Sequence, residues 1–167
     1  LGLLFQDADD QLFCPTVLED VAFGPLNMGK PHNQAVKTAQ KTLDLLGLSG
    51  YEKRVTINLS GGEKRLVALA TILAMEPEVL LLYEPVVGLD VSAQEKMVAV
   101  LTRLNISTIL ISHNLDLLDR LTDRIYSLEN GHIHTDQPIA VHSHVHAHAH
   151  GSQPHEHEEC HEEPDSS

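Results

Sequence analysis

The chain has 167 residues, 42% hydrophobic and 21% charged, a globular composition long enough to bury one core. Its 24 acidic and 11 basic side chains leave a net charge of −13, which argues against nucleic acid or an anionic membrane as partner, since both need a basic surface. No apolar run reaches the roughly 18–20 residues that span a bilayer, and no signal-peptide pattern opens the chain. Two cysteines, Cys14 and Cys160, make no disulfide framework and point to a reducing, cytosolic setting.

The body reads as alternating strands and helices. Residues 3–5 form the apolar end of a strand, and 16–23 follow Pro15 with acids in a first helical turn. Ala35, Ala39, Leu43 and Leu46 give a helical period over 31–46 that stops at Gly47. A second apolar-striped helix covers 61–74 and ends before Pro77. Val79 to Tyr83 is a continuous apolar run, the pattern of a strand buried on both faces. A helix over 92–104, a β-branched strand over 108–111 and a short helix over 115–121 follow. Strands at 125–128 and 132–134 flank Asn130-Gly131, a strong hairpin signal. Strands alternating with helices predict an α/β domain with a mainly parallel sheet.

Charge and histidine both change character at Gln137. Beyond it lie six acidic and no basic residues, so the part before carries −7. Eight of the 12 histidines fall there too, in HSHVHAHAHGSQPHEHEECHEEPDSS. With three prolines and few large apolar residues, residues 138–167 read as a disordered tail beside a folded part over 1–137. His142, His144, His146, His148 and His150 alternate with small residues, which spaces them about 6.5–7 Å apart along one side of an extended chain. His155, His157, Cys160 and His161 add further donors. Imidazole suits Ni²⁺, Co²⁺, Zn²⁺ and Cu²⁺, so the tail is a candidate transition-metal binder. A solvated polar tail or a tag is the plainer alternative, although tags are normally uninterrupted histidine runs.

The residues that could carry chemistry come in order. Ser60-Gly61-Gly62 opens a helix and leaves backbone N–H groups at its positive end, an anion site suited to phosphate; alone, it is equally a cap and turn. The run VLLLYEP then places Glu84 just past a buried strand, followed by the Gly88-Leu89-Asp90 turn, and TILISHN places His113 at the end of the next strand. Alone, Glu84 is a surface acid and His113 a satisfied histidine; as an ordered set they mark the strand ends where α/β sheets place ligands.

That set closely resembles the ATP-binding subunit of ABC transporters, specifically cobalt/nickel and energy-coupling-factor importers, from Leu1 to about Pro138. The resemblance implies a partial P-loop NTPase core with a helical subdomain over about 7–75. It implies that Gln6 is the Q-loop glutamine and that Leu59 to Glu63 is the signature motif. Ser60, Gly61 and Gly62 would then grip the γ-phosphate bound to an opposing subunit. Glu63 stands where glutamine is usual. Glu84 would be the general base for water, Asp90 the D-loop aspartate and His113 the switch histidine. ATP and Mg²⁺, an integral-membrane subunit, a second ATPase subunit and a peripheral place on the cytoplasmic face of the cell membrane follow by the same resemblance. Residues 7–23 would lie beside the groove for the membrane subunit's coupling helix, or simply pack on their own domain.

Two departures set expectations. The family's Walker A loop lies several tens of residues before Gln6, and the chain opens on Leu1 rather than Met, so the sequence reads as a fragment lacking that part. The near match at residues 24–31 has Pro31 where Ser or Thr must hold magnesium, and follows no strand. Tyr83 occupies the Walker B aspartate position, where a phenol is a poor ligand for a hard cation. This chain alone is therefore expected to bind Mg-ATP weakly or not at all. The rival reading is a catalytically degenerate ABC scaffold acting in metal binding or regulation through its tail.

Overall fold

The computed structural model describes residues 1–134. The tail histidines and Cys160 lie outside the described residues. In chain order the elements are β1 (Gly2–Leu4), α1 (Val17–Asn27), α2 (His32–Leu45), α3 (Gly61–Leu73), β2 (Val79–Tyr83), α4 (Val91–Arg103), β3 (Ser107–Ile111), α5 (Leu115–Leu121), β4 (Ser127–Glu129) and β5 (His132–His134). Short 3-10 turns lie at Ala8–Asp10 and Thr56–Asn58.

The sheet is parallel, with β2 between β1 and β3. Leu4 pairs with Leu82, and Tyr83 with Ile111. Leu80 and Leu82 on one face of β2 are fully buried, whereas Val79 and Leu81 are half-buried and Tyr83 is exposed. Burial on both faces was expected of so apolar a strand; among the described residues only one face is fully covered. β3 is an edge there, with Ile109 and Ile111 exposed. The hairpin β4–β5 closes at Asn130-Gly131 as predicted, and both residues take positive φ (50° and 80°).

All three helices between β1 and β2 pack on one another, with α3 at the centre. Seven apolar residues from Leu66 to Leu73 are buried, nearly all round that helix, which identifies it as a core helix. Its approach to the sheet depends on Gly2, where a Cβ would lie 2.2 Å from the Ile72 side chain. α1 starts at a capping box between Thr16 and Glu19. It runs four residues past the predicted end at Phe23, through Pro25. That proline forgoes one helical hydrogen bond, but Val21 and Pro25 are both buried one turn apart, and their burial holds the chain helical.

Candidate functional site

Loops at the C-terminal ends of β1, β2 and β3 converge, as the parallel pairing of the strands requires. The first carries Gln6, the second Glu84 and Asp90, and the third Ser112 and His113. A cleft of about 670 Å³ opens beside them, lined by residues 5–10, Gly61, Lys64, Arg65, Tyr83 and residues 87–89. Gln6 and the phenol of Tyr83, which is 45% exposed, therefore share one cavity with the start of α3. Glu84, His113 and Asp90 do not line it.

Glu84 is 2% exposed and has φ +47°, a left-handed conformation that costs a non-glycine residue on the order of 1 kcal/mol. Its amide donates to the Ile111 carbonyl at 2.9 Å, which stitches the ends of β2 and β3 together. Both oxygens of its carboxylate have partners. Ser112 Oγ donates to Oε2 at 3.0 Å, and the His113 amide donates to Oε1 at 3.0 Å. His113 Nδ1 lies 2.8 Å from the same Oε1, while the His113 side chain as a whole is 85% exposed. The two residues read from sequence as acid and histidine are thus in direct contact, and Ser112 is a partner that the sequence pattern did not single out.

Ser60 caps α3. Its Oγ accepts the Glu63 amide at 3.3 Å, while the Glu63 carboxylate accepts the Ser60 amide at 2.8 Å. The first-turn amides of Gly61 and Gly62 have no intrahelical acceptor and face outward with the positive end of the helix. A Cβ at Gly61 would meet open space, whereas one at Gly62 would lie 2.6 Å from Ala93 Cβ. Gly61 thus leaves the backbone there uncovered, and Gly62 lets α4 approach. Asp90 caps α4 through the Ala93 amide at 3.0 Å.

Glu63 is held more firmly than a cap requires. Arg54 Nη1 and Tyr51 Oη each donate to its Oε1 at 2.7 Å, and the Arg54 guanidinium stacks 4.2 Å from the Tyr51 ring. The Arg54 hydrogen bond, then those of Tyr51 and the Ser60 amide, hold the Glu63 carboxyl down at about 2 from its usual 4.5. Glu63→Gln is accordingly expected to cost about 1 kcal/mol at pH 7, solvent screening included. Because the folded value is depressed, that stabilisation is present above pH 4.5 and is lost as pH falls toward 2. Urea midpoints of wild type and variant should converge across that window. Unchanged midpoints at pH 7 would show that the network contributes nothing.

Asp20 of α1 is another buried acid. Its Oδ1 accepts the amides of Phe13 at 3.2 Å and Cys14 at 3.0 Å, Oδ2 has no partner among the described residues, and burial pushes its carboxyl up. Burial, with Asp20 beside it, raises the Cys14 thiol to about 11, so it is no ready nucleophile.

A capped helix start, a buried acid in contact with an exposed histidine and a glutamine loop lie at the end of a parallel sheet where α/β domains hold their ligands. The family model for ABC transporters matches residues 1–87, and the chain belongs to that family. It is 49% identical over 144 residues to a protein of Nitratidesulfovibrio vulgaris, provisionally assigned as an ABC transporter ATP-binding protein, covering 81% of this chain and 53% of that one. It is 42% identical to the energy-coupling factor transporter ATP-binding protein EcfA of Methanothermobacter thermautotrophicus, covering 80% and 44%. Among solved structures, cbiO1 of Clostridium perfringens, part of the ABC transporter complex cbiONQ, superposes with a TM-score of 0.72 at 34% identity, covering 79% of this chain and 54% of that one. The chain spans about half the length of these relatives.

ABC ATPases use ATP with magnesium. The described residues do not fit the cation: β2 ends in the Tyr83 phenol, the Glu84 carboxylate is taken up by Ser112 and His113, and no three ligating side chains converge among them. No helix among the described residues is long and apolar enough to cross a membrane.

Proposed function

We propose that this chain is the ATP-binding and ATP-hydrolysing part of an importer that carries nickel or cobalt ions across the cytoplasmic membrane. The observation that carries this reading is the Glu84–His113 contact at the ends of two parallel strands, beside the capped start of α3. The likeness to EcfA and to cbiO1 supports an energy-coupling type of importer. Ser60, Gly61 and Gly62 offer a hydroxyl and open amides to the γ-phosphate of a nucleotide held by a second ATPase subunit. Glu84 takes the proton of the attacking water, and His113 steadies the charge that develops on the phosphoryl oxygens. Gln6 and Asp90, on loops flanking the cleft, carry the nucleotide state to an integral-membrane subunit and to the second ATPase. ATP-dependent uptake of radioactive nickel or cobalt into vesicles holding the full-length protein and its membrane subunit tests this reading. Uptake that ignores ATP would refute it.

The histidine-rich segment supports metal as the cargo. Its eight histidines, with two to four imidazoles per ion, should hold about two to four Ni²⁺ ions. Equilibrium dialysis of the full-length protein against a variant with those eight histidines replaced by alanine is expected to show that many equivalents lost. Equal uptake by both proteins would remove the tail from metal handling.

Tyr83 favours a second reading. A phenol in the cleft where the family places a carboxylate fits a degenerate ABC scaffold that binds metal or regulates transport without turning over ATP. Metal uptake by the tail together with no measurable hydrolysis by the full-length protein would select it.

A further inference from the structure

We propose that Arg65 is a positioning residue that holds the Gln6 loop and the turn at residues 88–90 in one fixed relation to the Ser60 end of α3. The proposal rests on the nucleotide-handling reading above and adds a residue that reading does not use. Arg65 sits on the second turn of α3 and is only 6% exposed. Its Nη1 donates to the Phe5 carbonyl at 3.0 Å, and its Nη2 donates to the Val87 carbonyl at 3.2 Å. These acceptors belong to loops 60 and 22 residues away.

The identity of the two carbonyls matters. Phe5 C=O shares its peptide plane with the Gln6 amide, and Val87 C=O shares its plane with the amide of Gly88, whose φ of +75° turns the chain toward Asp90. One planar guanidinium therefore sets the orientation of the backbone entering both loops. Residues 5, 6, 65, 87 and 88 also line the same cleft.

A cation this buried is costly unless it is paired. Among the described residues Arg65 makes no ion pair, its Nε has no acceptor, and Asp7 is the acid whose charge favours it. An apolar side chain would fill the space without the desolvation cost, but would leave the two carbonyls unmatched. Lysine would supply charge without the fork, because an ammonium is a point donor and cannot hold two divergent carbonyls in one plane. The bridge is thus specific to arginine.

The test is Arg65→Lys, with Arg65→Met beside it, in the transporter complex containing the full-length protein. ATP turnover is expected to fall roughly tenfold in kcat with KM for ATP within about twofold, and the melting temperature of the lysine variant should stay close to wild type. Wild-type kcat in Arg65→Lys, or losses in kcat and KM that track a lowered melting temperature, would overturn the proposal. So would failure of the lysine variant to fold. If the wild-type complex itself turns over no ATP, the proposed function fails instead, and hydrogen exchange decides Arg65. Amides of residues 6–7 and 88–90 should then exchange faster together in Arg65→Lys while α2 is unchanged. Acceleration in one loop alone, or in neither, would overturn it.

Discussion

Tyr83→Asp in the full-length protein is expected to tighten Mg-ATP binding by roughly 10- to 100-fold, or about 1.4–2.8 kcal/mol. The substitution places a carboxylate at the end of β2, in the cleft that Gln6 and Gly61 also line. A hard divalent cation takes oxygen ligands of high charge density, which the phenol lacks. The gain should vanish when EDTA replaces magnesium. Without the cation the new charge has a cost: Glu84 is the next residue, and Asp7, Asp9 and Asp10 line the same cleft, of which Asp9 alone is paired among the described residues, with Lys64. The Tyr83→Asp protein should therefore melt below wild type in EDTA and recover when Mg-ATP is added. Tyr83→Phe, which removes only the hydroxyl, should leave magnesium dependence unchanged. Isothermal titration with and without magnesium reads these differences. Equal affinities for all three proteins would show that Tyr83 does not limit cation binding.

The contrast between Tyr83 and its neighbours also shows what the chain made legible. The apolar runs at residues 79–83 and 108–111 and the cap at Ser60 are local signals, and the elements formed where those signals lie. The order of Ser60, Glu84, Asp90 and His113 along the chain could be read too, because each follows directly from a strand or opens a helix. The pattern for α1 ends early because Gly24-Pro25 looks like a stop. Its continuation depends on burial of Pro25, a tertiary effect. The contacts made by long side chains were hidden for the same reason. Arg54 reaches Glu63 across nine residues, and Arg65 reaches Phe5 across 60. One signal for Arg65 was available: it sits on the apolar stripe with Leu69, Ile72 and Leu73, where a charge has to find partners. Glu63, a mild variant of the glutamine usual there, has Arg54 and Tyr51 as its reason.

Glu84→Gln tests the centre of the site, in the Tyr83→Asp protein where hydrolysis has its cation ligand. The expected result is a fall in kcat of about 10²- to 10⁴-fold with ATP affinity within about threefold, because the amide keeps the shape of the carboxylate but cannot take a proton from water. Glutamine should also keep the fold. Its carbonyl can accept the His113 amide, and Ser112 Oγ can turn to accept from its NH₂ group, so the melting temperature should move little. Glu84→Leu separates chemistry from structure. It removes every acceptor from Ser112 Oγ and the His113 amide and leaves them beside an apolar chain, which should cost about 2–3 kcal/mol of stability. Both variants lose hydrolysis, but only the leucine variant loses stability. If the glutamine variant instead keeps more than about a tenth of the parent rate, the proton goes elsewhere. Glu84 then acts only as the acceptor that locks the ends of β2 and β3 together, and the base is a group that lines the cleft, as Glu84 does not.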